Sequence, residues 1–122
     1  MREGIVLIGH GSPDPDWRAP LEACAARVAA QAEGVEVRLA FMERTEPTVP
    51  QAVAELVEAG VEKVRVIALL LSGGGRHMKR DVPTLVDEVA QAHPDLTIDL
   101  DPRAIGTREQ VIEAMASAVL AD

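Results

Sequence analysis

The sequence predicts an α/β fold: a single domain with a four-stranded parallel sheet of order 2-1-3-4 and helices on both faces. Three observations carry this expectation. Strand-like apolar segments alternate with helix-periodic segments four times along 122 residues, and such alternation builds a parallel sheet covered by helices. The first and third strand-like runs are apolar on both faces, as central strands are, whereas the second and fourth alternate, as strands nearer an edge do. Right-handed crossovers then make 2-1-3-4 the economical order, flavodoxin-like but cut short, with its reversal between the first and third strands.

Each element has its own signal. Residues 4–9, GIVLIG, form the first apolar run, and the turn HGSPDPD ends it. Helical spacing of Leu21, Ala25, Val28, Ala29 and Ala32 predicts a helix over about residues 18–33, stopped by Gly34. Val35, Val37, Leu39 and Phe41 alternate with Glu36, Arg38 and Ala40, which predicts a strand. After the loop MERTEP, Thr48 and Gln51 have capping-box spacing, with Pro50 tolerated in the first turn. That helix runs through Val53, Leu56 and Val57 to Gly60. Residues 64–71 form a second, nearly continuous apolar run, interrupted at Arg65, and lead into SGGGRHMKRD. Asp81 is positioned to cap a helix bearing Val82, Leu85, Val86 and Val89 on one face. Residues 96–100 alternate again. Thr107 and Gln110 repeat the capping-box spacing ahead of a stripe of Val111, Ile112, Met115 and Val119.

Composition narrows the function classes. A mass of 13.0 kDa is one domain's worth, enough to bury roughly two-thirds of the unfolded surface. At 48% apolar and 26% charged residues, intrinsic disorder is excluded. A net charge of −8 argues against non-specific nucleic-acid binding, and Trp17 and Phe41 are too few aromatics for a base-stacking surface. Apolar runs are too short for a membrane span or a signal peptide. The lone Cys24 allows no intramolecular disulfide and fits a reducing, cytoplasmic setting. In its alanine-rich helix it reads as a small buried residue.

In open α/β sheets ligands bind beyond the carboxyl ends of the strands, at the reversal of strand order. Three loops meet there, leaving strands roughly 4.8 Å apart. They carry His10, Glu43 and His77. Two imidazoles and a carboxylate suit a divalent transition metal. Each residue also has a plainer reading: His10 as a strand-end hydrogen-bonding group, His77 as a surface histidine among basic residues, Glu43 as a solvated acid. His93, before Pro94, reads as a helix-end residue facing the helix dipole. The glycine runs GHGS and SGGGRH can aim backbone N–H groups at an anion, but neither matches a P-loop or dinucleotide fingerprint. Ser12 lacks the G-x-S-x-G context of a nucleophile. Arg76, Lys79 and Arg80 concentrate positive charge in an acidic chain, either as a solvated turn or as a seat for substrate carboxylates or phosphates.

The segments IVLIGHGS, AFME followed by EPTVPQAV, and VRVIALLLSGGGRHMKRDVP resemble the small-form CbiX and SirB sirohydrochlorin chelatases, in register from residue 4 to about residue 90. The most specific part is GHGS paired with G-x-H-x-x-x-D-[IV]-P. Ala68 and Leu70 stand where the family often has Pro and Phe, and Pro13 where a basic residue often follows GHGS. The resemblance implies insertion of Co²⁺ or Fe²⁺, as substrate, into sirohydrochlorin without nucleotide hydrolysis. It implies that His10 and His77 handle the metal and that Glu43 assists. Ser12, Arg76, Lys79 and Arg80 are then expected to bind the macrocycle. Longer relatives carry two such domains in one chain, so a homodimer is expected. A metal carrier or storage protein without turnover, and a regulatory module binding a phosphorylated small molecule, are the alternative classes.

Overall fold

The computed structural model describes residues 1–122, apart from the side chain of His77. Strands β1 (Glu3–Gly9), β2 (Val35–Phe41), β3 (Lys63–Ala68) and β4 (Thr97–Leu100) form one parallel sheet in the order β2-β1-β3-β4, as the apolar patterning predicts. The helices are α1 (Pro15–Gln31), α2 (Val49–Glu58), α3 (Val82–Ala92) and α4 (Glu109–Leu120). A π-helical turn, His77–Asp81, leads into α3, and a 3-10 turn, Ile105–Thr107, precedes α4.

Pleating and register sort the side chains onto two faces. Val6 pairs with Val66 and Ile8 with Ala68 and Ala40, so these residues share one face with Val64. Helices α2 and α3 bury Val49, Val53, Leu56, Val82, Val86 and Val89 against that face and close the main core. Each fully buried Val or Leu there contributes about 1.5–3 kcal/mol of transfer free energy. On the other face α1 lies along β2. Its Leu21 reaches Gly9, and Trp17 sits 6.2 Å, centroid to centroid, from Phe41. No residue of α1 is fully buried, and Cys24 is half-buried rather than buried.

The boundaries differ from expectation where tertiary contacts decide them. Helix α1 begins at Pro15 because Asp14 caps it, accepting a hydrogen bond from Asp16 N at 2.9 Å. The apolar run 64–71 outlasts its strand. β4 stops pairing with β3 at Val66, and Gly106 N captures the Leu70 carbonyl at 3.0 Å. The chain therefore leaves the sheet, and Leu71 is 70% exposed. The capping box at α2 forms as expected: Thr48 N donates to Gln51 Oε1 at 2.8 Å and Gln51 N to Thr48 Oγ1 at 3.3 Å. The two other expected caps do not form. Asp81 has helical backbone angles inside the π turn and no side-chain cap bond. Thr107 instead donates its hydroxyl to Ala104 O at 2.7 Å, and α4 starts without a side-chain cap. The stripe on α4 remains outside the core: Ile112, Met115 and Val119 are exposed. Among the described residues no helix is long and apolar enough to cross a membrane.

Candidate functional site

The carboxyl ends of β1 and β2 place His10 beside Glu43. The β1–β2 pairing continues past the strands: Met42 N donates to Gly9 O at 3.0 Å and Glu43 N to His10 O at 3.1 Å. Gly11, with φ of 121°, lets the loops close up, since a Cβ there would lie 1.7 Å from Glu43 O. Arg44 adopts a left-handed φ of 66°, which turns the second loop back toward the first. For a non-glycine residue this conformation costs about 1–2 kcal/mol, and such strain clusters at functional sites.

His10 Nε2 and Glu43 Oε1 stand 2.9 Å apart. The side chains are 42% and 53% exposed, while the Nε2 atom itself is shielded from solvent. The imidazole nitrogen is thus turned inward onto the carboxylate, with the rest of both groups open to water. Donor atoms about 3 Å apart suit neighbouring ligands on an ion held at roughly 2.0–2.2 Å from each. The same geometry passes a proton between base and acid.

From Glu43 a groove of about 430 Å³ extends toward the start of α3. Met42 and Leu85 supply apolar lining, and Arg80 stands among acids Asp81 and Glu88. Its size falls in the range of small-molecule sites. Arg80 Nε lies 3.3 Å from Asp81 Oδ1, in a side chain 64% exposed. Arg76 and Lys79 are exposed and do not line this groove.

The fold therefore brings three of the expected residues, His10, Glu43 and Arg80, to one region. His77 opens the π-helical turn beyond β3, and π turns recur at functional sites. Its expected part in metal binding lies outside the described residues, because its side chain does. Among the described residues no group of three His, Cys, Asp or Glu converges to hold a metal. Ser12 is tied into the scaffold: its N donates to Thr45 Oγ1 at 3.1 Å, and its Oγ accepts from Asp14 N at 3.1 Å. Thr45 and Met42 are not marked as site residues by the residue pattern, and Leu85 reads there only as part of an apolar helix face. Only the hydroxyl residue within the tight turn MERTEP hinted at the first of them.

The CbiX family model matches residues 4–121. The sirohydrochlorin cobaltochelatase of Methanopyrus kandleri is 40% identical over 82 residues, which are 67% of this chain and 57% of that protein. The sirohydrochlorin ferrochelatase of Bacillus subtilis is 29% identical over 119 residues, 94% of this chain and 43% of that protein. The chain thus spans about three-fifths or less of the length of these relatives. A CbiX protein from Marinobacter aquaeolei superposes with a TM-score of 0.84 at 29% identity, covering 98% of this chain and 93% of that one. The sirohydrochlorin chelatase SirB of Bacillus subtilis subspecies spizizenii, solved in complex with cobalt, superposes with a TM-score of 0.86 at 26% identity. It matches 98% of this chain but only 50% of its own. With the sheet order, the GHGS loop and a family match over nearly the whole length all in agreement, the chain belongs to the CbiX family.

Proposed function

We propose that this protein inserts a divalent metal, Co²⁺ or alternatively Fe²⁺, into sirohydrochlorin without nucleotide hydrolysis, in the cytoplasm. The observation that supports this best is the His10–Glu43 pair, 2.9 Å apart beyond the carboxyl ends of β1 and β2 and bordering the groove that Arg80 lines. The macrocycle carries eight carboxylates and four central nitrogens, two of them protonated. Insertion of M²⁺ releases those two protons. A neutral imidazole and a carboxylate can each hold the ion, and each can accept a proton. A sparse, open set of ligands also suits release, since an ion held in a closed four-ligand cage would not transfer. His77 is assigned as the second histidine by its motif and by its place at the start of the π turn.

Arg76, Lys79 and Arg80 are assigned to the substrate carboxylates, with Ser12 offering its hydroxyl hydrogen. Fixing the macrocycle over the ion contributes proximity, which lowers the barrier without new chemistry. The 122 residues act as one chelatase domain, and the working form is a homodimer. Support comes from the open, one-sided groove and the uncovered α4 stripe. In addition, SirB is about twice as long as the part this chain matches. The test is sirohydrochlorin incubated with Co²⁺, Fe²⁺ or Ni²⁺, with and without purified protein, followed by absorbance. Acceleration by the protein is expected. Metal binding without acceleration would assign it as a carrier instead.

A further inference from the structure

We infer that Thr45 is a positioning residue for the metal-handling pair, an assignment that rests on the chelatase reading of His10 and Glu43. Besides the His10–Glu43 pair itself, four hydrogen bonds join residues 9–12 to residues 42–45. Two of them, Met42 N to Gly9 O and Glu43 N to His10 O, are backbone bonds that extend the β1–β2 ladder. The other two depend on one hydroxyl. Thr45 Oγ1 accepts from Ser12 N at 3.1 Å and donates to Ser12 O at 2.5 Å. A single side chain thus satisfies both backbone groups of one residue on the opposite loop. Thr45 and Ser12 are both half-buried, so loss of the hydroxyl would leave Ser12 N incompletely resolvated, while Ser12 O would keep only its longer bond from Arg18.

The position of this tie gives it its effect. Gly11 and Arg44, both with positive φ, lie just inside it, and His10 and Glu43 lie just inside those. The left-handed Arg44 is the strained member, and the Thr45–Ser12 bonds hold the loop in that turn. Without them Arg44 relaxes toward negative φ. The Glu43 carboxylate then swings away from His10 Nε2, because its direction is set by the backbone one residue before the turn. The bonds of Thr45 go to Ser12 and not to the metal-handling atoms, so its influence is on the spacing of those atoms. Arg18, from α1, braces the same point by donating to Ser12 O at 3.3 Å and Pro13 O at 3.0 Å.

Thr45→Val keeps the shape and removes both bonds, whereas Thr45→Ser keeps the hydroxyl. Each is compared with wild type and with His10→Ala for Co²⁺ affinity without macrocycle, for kcat and KM of insertion, and for melting temperature. Changes to groups that orient metal ligands cost 10- to 100-fold, so Thr45→Val is expected to lose about tenfold in both Co²⁺ affinity and kcat. KM for sirohydrochlorin should change less than kcat, since Arg76, Lys79 and Arg80 are untouched, and Thr45→Ser should restore both losses. If Thr45→Val does not fold, Thr45→Ala is held to the same criteria. Wild-type affinity and kcat in the hydroxyl-free variant overturn the positioning role, as does failure of Thr45→Ser to restore them. If His10→Ala itself binds Co²⁺ and turns over normally, the site reading fails first, and the role of Thr45 fails with it.

Discussion

Gly106 meets Leu71 so closely that a Cβ on the glycine would stand 2.1 Å from the Leu71 carbonyl oxygen. The contact binds the loop after β4 to the segment that carries the chain from β3 toward His77. Gly106 N completes the clasp by donating to Leu70 O. Backbone has no soft way to yield, so Gly106→Ala should destabilise the fold by about 1–3 kcal/mol, the usual cost of overpacking. It should also weaken Co²⁺ binding by displacing the start of the His77 loop. Thermal melting and a Co²⁺ titration check both effects. A variant that melts like wild type would refute the contact.

His10→Ala should remove most insertion activity yet leave the melting temperature nearly unchanged, because the side chain sits in a loop outside the core and is half exposed. Glu43→Gln should slow turnover while retaining part of the metal affinity, since a neutral amide still presents an oxygen but takes up no proton. Steady-state insertion and Co²⁺ binding, measured side by side, separate the two roles. Equal loss of both in Glu43→Gln would make Glu43 a ligand first.

Replacing Arg76, Lys79 and Arg80 with Gln should raise KM for sirohydrochlorin much more than it lowers kcat, as removal of ground-state binding does. Arg80 lines the groove and should account for most of the change. The effect should shrink at high salt, where exposed charges are screened within about 10 Å or less. An unchanged KM would make the turn a solvated surface feature.

Asp101 accepts hydrogen bonds from Arg103 N at 2.9 Å, Arg103 Nε at 3.1 Å and Arg108 Nη2 at 2.5 Å. The Arg103 side-chain bonds first, then its backbone N–H, hold this carboxyl well below the usual carboxylate range. A depressed folded-state pKa contributes stability above the unfolded value of about 4, and that stability fades as pH falls below it toward the folded value. Asp101→Asn should therefore cost about 1–3 kcal/mol at neutral pH, as loss of charge-assisted bonds does, and less at pH 3. Urea midpoints at both pH values test this. An equal gap at pH 7 and pH 3 would rule out the ionised carboxylate as the source.

Light scattering should give a dimer, and placing Glu at Ile112 and Met115 together should yield monomer. Both side chains are exposed within one chain, so the double variant should keep its own fold. A wild-type protein that is active as a 13.0 kDa monomer would exclude the homodimer.

The sheet order was legible because burial on both faces leaves a direct mark. Residues such as Val6, Leu7, Ile8, Val66 and Ile67 have no solvent side on which to put a polar group. The meeting of His10 and Glu43 followed from that order, since neighbouring strands release neighbouring loops. Caps were legible only where the local bonds had no competitor, as at Thr48. Asp81 was drawn into a π turn, and Thr107 bends back on Ala104, so their spacing alone misled. The Thr45 tie could not be read, because its partner is 33 residues away and depends on the backbone angles of Gly11 and Arg44. Nor does the periodicity of α4 say what covers its stripe. Amphipathic spacing reveals that a face is apolar, not which surface meets it.

Placing β1 second in the sheet order has a consequence for assembly during synthesis. Of the four strands, β1 comes earliest in the sequence and is one that must be flanked on both sides. Its partner β3 begins about 60 residues later, with Glu3 paired to Lys63. A nascent chain that has exposed only β1, α1 and β2 holds a parallel pair with an open inner edge and an uncovered apolar face. Such long-range pairing slows folding, and an exposed edge invites misassociation. The chain should therefore gain resistance to protease in one late step, once β3 and α3 have emerged, rather than progressively along its length.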